Sequence, residues 1–194
     1  IMKKISIIGG GIIGLCSAYY LAKEGHEVVV FDKSDMTDGC SYGNAGMIVP
    51  SHIIPMAQPG MIAQGMKWMF DSKSPFYVKP RLNYDLMKWG LQFYKHATPQ
   101  HVEKSMPALR DLALLSKELF QDLDRVNPSF FYEEKGLLML YKTDKVAEEM
   151  QHEGKEAERL GLEVDYLSKE GVSKLEIGTR TDVIGGVHYK SDAH

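Results

Sequence analysis

The feature that most constrains the fold is a strand, a glycine-rich turn, a helix and a second strand at the start of the chain. Residues 4–8 form a short β-branched run that suits a buried parallel strand and ends at three glycines. Over residues 12–23, apolar side chains recur at helical spacing, and Gly25 follows as a C-terminal cap. Residues 27–31 are again β-branched and apolar, and Asp32 ends the run. This order predicts a parallel βαβ unit.

Three glycines give the turn the GxGxxG spacing of a dinucleotide-binding site, namely Gly9, Gly11 and Gly14. Gly9 permits the sharp turn, Gly11 lets a pyrophosphate approach the backbone, and Gly14 allows the helix to pack closely on the sheet. The helix N-terminus offers N–H groups and a partial positive charge to the anion. Asp32 stands 18 residues after Gly14, where its carboxylate can accept hydrogen bonds from ribose hydroxyls. This context favours a nucleotide site over a structural turn that binds nothing.

The segment SDMTDGCSYGNAGMIVPSHIIPMAQPG, residues 34–60, has neither strand alternation nor helical spacing. An NAD-binding domain proceeds to another helix and a third parallel strand soon after the acid, and this chain does not. We predict that an extended ligand satisfies the backbone of this segment. FAD fits better than NAD, because its ribityl chain and isoalloxazine ring extend beyond the adenosine site. A flexible surface loop is the alternative, although the apolar MIVP and HIIPM argue against full solvation.

Several blocks resemble one known family. GGGIIGLCSAYYLAKEGHEVVVFDK and CSYGNAGMIVPSH resemble the start of the D-amino-acid-oxidase-like FAD oxidoreductases, in particular the small subunits of D-amino-acid dehydrogenases. The later QPGMIAQGMKWMFDSKSPFYVKPRLNYDLMKWGLQF is similar to the same subgroup, and IGGVHYKSDAH resembles the family's strand that leads toward the active centre. The resemblance covers almost the whole chain and is specific to the family, not to one substrate.

The resemblance implies which residues bind FAD. Those that would hold the pyrophosphate are Gly9, Gly11, Ile12, Ile13 and Gly14. Asp32 and Lys33 would flank the adenine ribose, although many family members have Glu at the position of Asp32. The residues that would line the ribityl chain and the flavin ring, here called the flavin cradle, are Cys40, Ser41, Asn44, Ala45, Gly46 and Met47.

The resemblance also implies the reaction. The family's dehydrogenases oxidatively deaminate D-amino acids or related imino acids by moving a hydride from the α-carbon to flavin N5, and water hydrolyses the resulting imine. The substrate carboxylate needs a cationic clamp. The arginines available are Arg81, Arg110, Arg125 and Arg180. Their spacing selects none of them, and His52 is more often structural than catalytic at such a position, so the catalytic residues are unknown.

The resembled family members are considerably longer than this chain. We therefore expect an N-terminal portion, inactive by itself, that a missing C-terminal half or another subunit completes. The alternative function is a non-catalytic nucleotide-binding module that acts with another chain, and an NAD-linked dehydrogenase is a third. The electron acceptor, for which quinone is a candidate, and the choice between dehydrogenase and oxidase stay open.

We predict an α/β fold. A Rossmann-like FAD-binding start with the flavin-cradling loop occupies residues 1–82, and a helical segment with part of an α+β substrate domain occupies residues 83–194. The predicted helices are 61–70, 83–96, 101–125, 144–160 and 168–175. Residues 130–141 predict two strands around Gly136, and another strand is expected near Val164. The candidate core residues are Met61, Met66, Met69, Leu86, Trp89, Leu112, Leu115 and Leu119.

Composition narrows the partners. With 23 basic and 26 acidic side chains and a net charge of -3, nothing favours nucleic acid or an anionic membrane surface, so a small-molecule partner is expected. The resemblance implies that this partner is an amino acid or imino acid. Cys16 and Cys40 form no disulfide framework, which favours the cytoplasm, with peripheral attachment to the inner membrane face as an option. No signal-peptide core or bilayer-spanning run is visible, and the histidines lack metal-ligand spacing.

Overall fold

The computed structural model describes residues 1–69, 83–128 and 130–194, without the side chains of Met66 and Met69. These residues form two compact units, Ile1–Gly46 and Met47–His194. The division between the units therefore precedes the domain boundary predicted after residue 82. That position lies outside the described residues, so the predicted boundary stays a prediction.

The first unit is the predicted βαβ motif. It contains β1 (Lys4–Ile8), α1 (Ile12–Lys23) and β2 (Glu27–Phe31). The two strands are parallel neighbours, with Ile7 opposite Val30. Gly25 follows the end of α1 with a φ of 87°, the left-handed conformation that glycine adopts most easily after a helix. The Rossmann-like start predicted from the sequence is confirmed, including the bounds of all three elements.

One face of this two-stranded sheet lies against α1, and the other is exposed. Ile7 is on the α1 side, because its Cγ2 atom lies 3.4 Å from the position of a Cβ on Gly14. Ile8 and Phe31 remain 92% and 54% exposed. Parallel sheets are normally covered on both faces, so exposed apolar side chains on this face are unusual.

The segment between the two strands and the next helix is irregular, as predicted. From Asp32 to Gly60, a range that the structure describes throughout, the backbone forms neither helix nor strand apart from one β-bridge at Ile48. Pro50 and Ile53 are nonetheless buried, so this part of the segment is not a solvated loop.

The second unit combines helices with an antiparallel sheet. Its helices are α2 (Met61–Met69), α3 (Tyr84–His96), α4 (Pro99–Val126), α5 (Asp144–Arg159) and α6 (Lys169–Leu175). Its strands are β3 (Leu137–Tyr141), β4 (Val164–Ser168) and β5 (Gly185–Tyr189). The last strand lies in the middle of the sheet, in the order β3-β5-β4. This arrangement matches the predicted mixed α+β part of the fold.

Side-chain caps set where several of these helices begin. Asn83 accepts hydrogen bonds from the backbone N–H groups of Asp85 and Leu86 at the start of α3. Thr98 accepts one from the N–H of His101, and Pro99 occupies the first position of α4. Because this cap and proline precede residue 101, α4 begins two residues earlier than the apolar spacing predicts.

The core of the second unit lies where the sheet packs on α5. Val187 of β5 and Ala157 of α5 are completely buried, and Met106 of α4 is only 2% exposed. Ile53, from the irregular segment, joins the same cluster. The core thus connects the central strand with two helices and with the residues that follow the predicted flavin cradle.

Two predictions about this unit are wrong. Residues 130–135 do not form the first of the two predicted strands. The backbone of Glu133 is hydrogen-bonded to that of His194, at 2.7 and 3.1 Å, and not to β3. Of the predicted core residues, Trp89, Leu112 and Leu115 are exposed. Their spacing identifies an apolar helix face, but nothing in the described residues covers that face.

Candidate functional site

The glycine turn between β1 and α1 has the geometry that its sequence predicts. Gly9 has a φ of 105°, and an added Cβ there would meet no atom within 4 Å, so the conformation itself demands glycine. A Cβ on Gly14 would overlap the carbonyl oxygen of Gly9, which confirms that only glycine allows this close approach. A Cβ on Gly11 would lie 3.1 Å from the Oγ of Ser41. The role of Gly11 toward a ligand stays a prediction.

Ser41 reaches the start of α1 from the irregular segment. The backbone N–H of Ile12 donates a hydrogen bond to the Ser41 Oγ at 3.0 Å. The N-cap residue of α1 is Gly11, which has no side chain to play this part, and the first turn contains no acidic residue. The positive end of the helix is therefore not neutralised by carboxylates of its own first turn, as suits an anion site.

Asp32 is fixed against the same turn. Its Oδ2 atom accepts a hydrogen bond from the N–H of Gly10 at 2.7 Å, and its Oδ1 atom accepts from the N–H and the hydroxyl of Ser34. These bonds, first that from Gly10, lower the pKa of Asp32 below its usual range. The side chain is ionised at neutral pH and remains accessible to a ligand. Sequence reasoning missed Gly10 as the partner that holds it there.

The segment after Asp32 organises itself with its own short polar side chains. The N–H of Met36 donates to the Ser34 Oγ at 3.2 Å. Asn44 accepts from the N–H of Gly46 at 2.5 Å and donates to the carbonyl oxygen of Ser41. At these positions the premise that an extended ligand is needed to satisfy the backbone is wrong. The signal was available in the sequence, because Ser, Asp and Asn two residues before their partners are typical of such turns.

A cavity of about 560 Å³ opens beside the turn. Its lining comes from β1, the glycine turn, α1 and the irregular segment. The lining residues are Ser6, Ile7, Ile8, Gly9, Gly11, Ile12, Ile13, Gly14, Ser17, Leu21 and Ser41. The volume is within the range of small-molecule sites in proteins. The open space at Gly9, the helix N-terminus and the cavity together suit the phosphates of a dinucleotide.

The structure brings most of the predicted site residues together in one unit. The five predicted pyrophosphate residues lie in the glycine turn and the first turn of α1. Ser41 accepts a hydrogen bond from Ile12, one of the five, and Asp32 accepts one from Gly10 of the glycine turn. Lys33, Cys40 and Ala45 are exposed in the same unit. Met47 is also exposed but begins the second unit.

Of the four candidate substrate-binding arginines, two have other partners, one lies outside the described residues and one is exposed in a connection. Arg81 is among residues 70–82, which are not described. Arg110 donates to the carbonyl oxygen of Leu160 at 2.8 Å and pairs with Asp111. Arg125 pairs with Asp122 within α4 at 2.8 Å. Arg180 lies in the exposed connection between α6 and β5. No described arginine is thereby selected as the clamp.

Near its end, the chain contains a buried carboxylate that sequence reasoning missed. Asp192 is 1% exposed and accepts hydrogen bonds from the N–H and the hydroxyl of Ser51 at 3.0 and 2.5 Å. Burial raises the pKa of Asp192, and the two bonds from Ser51 oppose this shift. Because 141 residues separate the partners, no local pattern could have predicted the contact.

Within the described ranges, no helix is both long and apolar enough to cross a membrane. In the same residues, no group of three His, Cys, Asp or Glu side chains is arranged to hold a metal ion. Both cysteines are free thiols, with Cys40 exposed and Cys16 partly buried in α1.

Comparison with known protein families now decides the relationship. Residues 4–194 match the model of the DAO family, described as FAD dependent oxidoreductase. The chain belongs to this family. FAD is accordingly the cofactor of the family, which confirms the cofactor and the family predicted from the sequence.

The chain is also similar to proteins named D-amino acid dehydrogenase. A D-amino acid dehydrogenase from Helicobacter pylori is 35% identical over 143 residues, which are 74% of this chain and 35% of that protein. A D-amino acid dehydrogenase from Granulibacter bethesdensis is 29% identical over 194 residues, covering 97% of this chain and 46% of that protein. The chain thus spans less than half the length of these relatives.

Solved structures support the fold. The glycine oxidase from Geobacillus kaustophilus matches all of this chain with a TM-score of 0.63 at 21% identity, over 41% of its own length. An L-alpha-glycerophosphate oxidase from Mycoplasma pneumoniae with FAD bound matches with a TM-score of 0.58 at 17% identity, over 39% of its length. At such identities the likeness concerns the fold alone.

Proposed function

We propose that the protein works as an FAD-dependent oxidoreductase that oxidatively deaminates D-amino acids or related imino acids. The observation that carries this proposal is the convergence of the glycine turn, the start of α1 and Ser41 around one cavity, with Asp32 hydrogen-bonded to Gly10 of the turn, in a chain that belongs to an FAD-dependent family. Relatives named D-amino acid dehydrogenase supply the substrate class.

The chain would hold FAD along the first unit. The turn residues Gly9, Gly11, Ile12, Ile13 and Gly14 would receive the pyrophosphate, since their backbone lies at the positive end of α1. Asp32 and Lys33 would contact the adenine ribose. The remaining contacts to the ribityl chain and the ring would come from Cys40, Ser41, Asn44, Ala45, Gly46 and Met47.

When bound, FAD supplies an acceptor at N5 for the hydride that leaves the substrate α-carbon. The part played by the described residues is to orient that group. Ser41 is held by the N–H of Ile12, and Asn44 is held by Ser41 and Gly46. A cradle fixed by its own hydrogen bonds loses little entropy when the ligand arrives.

A further polypeptide is part of the proposal. Ile8, Ile13 and Phe31 expose apolar surface in the first unit. We propose that a C-terminal half or another subunit covers this surface and contributes the substrate-binding groups. An electron acceptor such as a quinone and a cytoplasmic location, at the inner face of the membrane if the acceptor is a quinone, complete the proposal.

The second candidate function is a nucleotide-binding module without catalytic activity. One observation favours it: Arg110 and Arg125, two candidate clamps for the substrate carboxylate, are already paired with Asp111 and Asp122. Such a module would bind FAD and act only through another chain.

Flavin retention and dye reduction separate these functions. The purified protein is mixed with FAD, passed through a desalting column and then given D-alanine or D-hydroxyproline with an artificial electron acceptor. L-alanine is the control substrate. Retained flavin with reduction by the D-substrates alone supports the enzyme. Because the proposed enzyme takes its substrate-binding groups from a further polypeptide, retained flavin without reduction supports the module only when that polypeptide is present in the assay. Turnover driven by NAD would overturn both, and peroxide release under air would indicate an oxidase.

A further inference from the structure

Among the residues that the structure describes, Asp192 has the most deeply buried carboxylate, and the proposed function does not use it. Its Oδ1 atom accepts the Ser51 N–H at 3.0 Å, and its Oδ2 atom accepts the Ser51 hydroxyl at 2.5 Å. Both oxygens are therefore used by the same residue of the irregular segment. The carboxylate fixes the backbone of Ser51 and the rotamer of its side chain.

A second connection lies beside the first. Ile48 and Ala193 form an antiparallel bridge with backbone hydrogen bonds of 2.8 and 2.9 Å. Pro50, which lies between the attached residues Ile48 and Ser51 in the sequence, is buried. Ile53 is only 1% exposed and belongs to the core. The segment Ile48–Ile53 is thus held at its start, its middle and its end within the second unit.

The choice of a carboxylate at this position indicates a role beyond filling space. Burying a charge costs free energy, and well-packed apolar side chains often replace buried charged groups without loss of stability. Asp192 is partly compensated by the nearby positive charge of Lys117, which is itself paired with Glu134 at 3.1 Å. An apolar residue would fill the same volume but could not orient the Ser51 N–H and hydroxyl.

We propose that Asp192 is a positioning residue that fixes the flavin-ring end of the FAD site. This inference rests on the proposed function, in which Met47 is the last residue of the cradle. Met47 directly precedes the anchored segment Ile48–Ile53 and belongs to the same unit. Loss of the anchor would release the end of the cradle without removing any proposed contact to FAD.

Three variants weaken the anchor, meaning the two hydrogen bonds from Ser51 to Asp192, to different extents. Asp192→Ala removes both hydrogen bonds. Asp192→Asn keeps an acceptor for the Ser51 N–H, and Ser51→Ala removes only the hydroxyl bond. The control is Asp165→Asn on β4, which breaks the exposed ion pair with Lys190 and leaves Ser51 untouched.

The readouts are amide exchange across residues 47–53, the dissociation constant for FAD and the flavin absorption spectrum. We expect Asp192→Ala to accelerate exchange in this segment and to weaken FAD binding by at least about tenfold, since the loss of even one hydrogen bond to a charged group corresponds to about that factor. Asp192→Asn and Ser51→Ala should give intermediate losses, and Asp165→Asn none. A changed flavin spectrum would mark displacement at the ring end, which a general loss of stability would not produce.

Several results would overturn the inference. The anchor has no positioning role if Asp192→Asn and Ser51→Ala bind FAD like the parent protein, and this comparison decides the matter even when Asp192→Ala does not fold. Equal exchange rates across residues 47–53 in parent and variants also refute it. If the parent protein binds no FAD, the proposed function fails, and the inference about Asp192 fails with it even where the exchange data show an anchored segment.

Discussion

Substituting Gly14 by alanine tests the structure of the turn most sharply. A Cβ at this position would overlap the carbonyl oxygen of Gly9 and lie 3.1 Å from its carbonyl carbon. The neighbour is backbone at the end of β1, so it cannot move aside as a flexible side chain could. The oxygen would have to retreat by roughly 1 Å, which pulls the turn away from the start of α1.

The expected cost follows from two opposing effects. Overpacking of this kind costs about 3 kcal/mol, and replacing a helical glycine by alanine returns about 1 kcal/mol. We therefore expect a net loss of about 2 kcal/mol in the stability of the first unit. The matched control is Gly90→Ala in α3, where an added Cβ meets nothing within 4 Å. That variant should stabilise its helix by about 0.5–1 kcal/mol.

The assay must report on the first unit by itself. Both tryptophans, Trp68 and Trp89, belong to the second unit, so tryptophan fluorescence does not follow the turn. Amide exchange of peptides from β1 and α1 measures the local opening free energy directly. Titration with FAD then measures the binding loss. The reasoning is refuted if Gly14→Ala exchanges as slowly as the parent protein and binds FAD equally well.

Further predictions concern the acid, the core and the thiols. Because the pKa of Asp32 is lowered in the folded protein, its stabilising effect should be complete above the ordinary Asp pKa of about 4 and disappear as the pH falls through the lowered value. Urea unfolding at neutral and acid pH should therefore show a larger loss of stability in acid for the parent protein than for Asp32→Ala, and equal losses would contradict this effect. Met106→Ala should destabilise the second unit by about 2–5 kcal/mol, because Met106 is 2% exposed, whereas Met87→Ala, at a residue 60% exposed, should change its stability by less than about 0.5 kcal/mol; equal urea midpoints would disprove this difference. Cys40 should react with a thiol reagent faster than Cys16, which is partly buried with a raised pKa, and FAD should slow the reaction of Cys40 alone; protection of neither thiol would contradict the proposed cradle.

Local chemistry explains why the first unit could be predicted accurately. The bounds of β1, α1 and β2 coincide with the sequence prediction, because glycines follow β1 and α1, Asp32 follows β2, and β-branched runs fill the strands. Gly9 and Gly14 have the conformational and packing roles that their spacing indicates. Such features depend on neighbours within a few residues, which the sequence displays directly.

Long-range pairing explains what could not be predicted. The segment before Gly136 runs beside the end of the chain, and β3 takes β5 as its neighbour, about fifty residues away in sequence. The sequence pattern around Gly136 predicts a hairpin of two neighbouring strands, whereas the observed sheet pairs strands that are far apart in the sequence. The contact between Ser51 and Asp192 is hidden for the same reason.

The spacing of apolar residues predicts helices but does not predict which of their side chains are buried. It correctly predicts α3 and α4 as helices, yet Trp89 and Leu112 are 57% and 67% exposed. Periodicity shows which side chains share a face, and burial depends on what packs against that face. In the candidate site, apolar spacing likewise gives no sign of the turns that the side chains of Ser34 and Asn44 stabilise. Only the residue types typical of turns predict them.

Amide exchange of the protein with and without FAD tests the proposed site most directly. We predict slower exchange with FAD at residues 9–14 and 40–47, and unchanged exchange in α5, which has no part in the site. Exchange that is the same in both samples, or slowed only in the second unit, would contradict an FAD site built on the glycine turn and the segment that follows it.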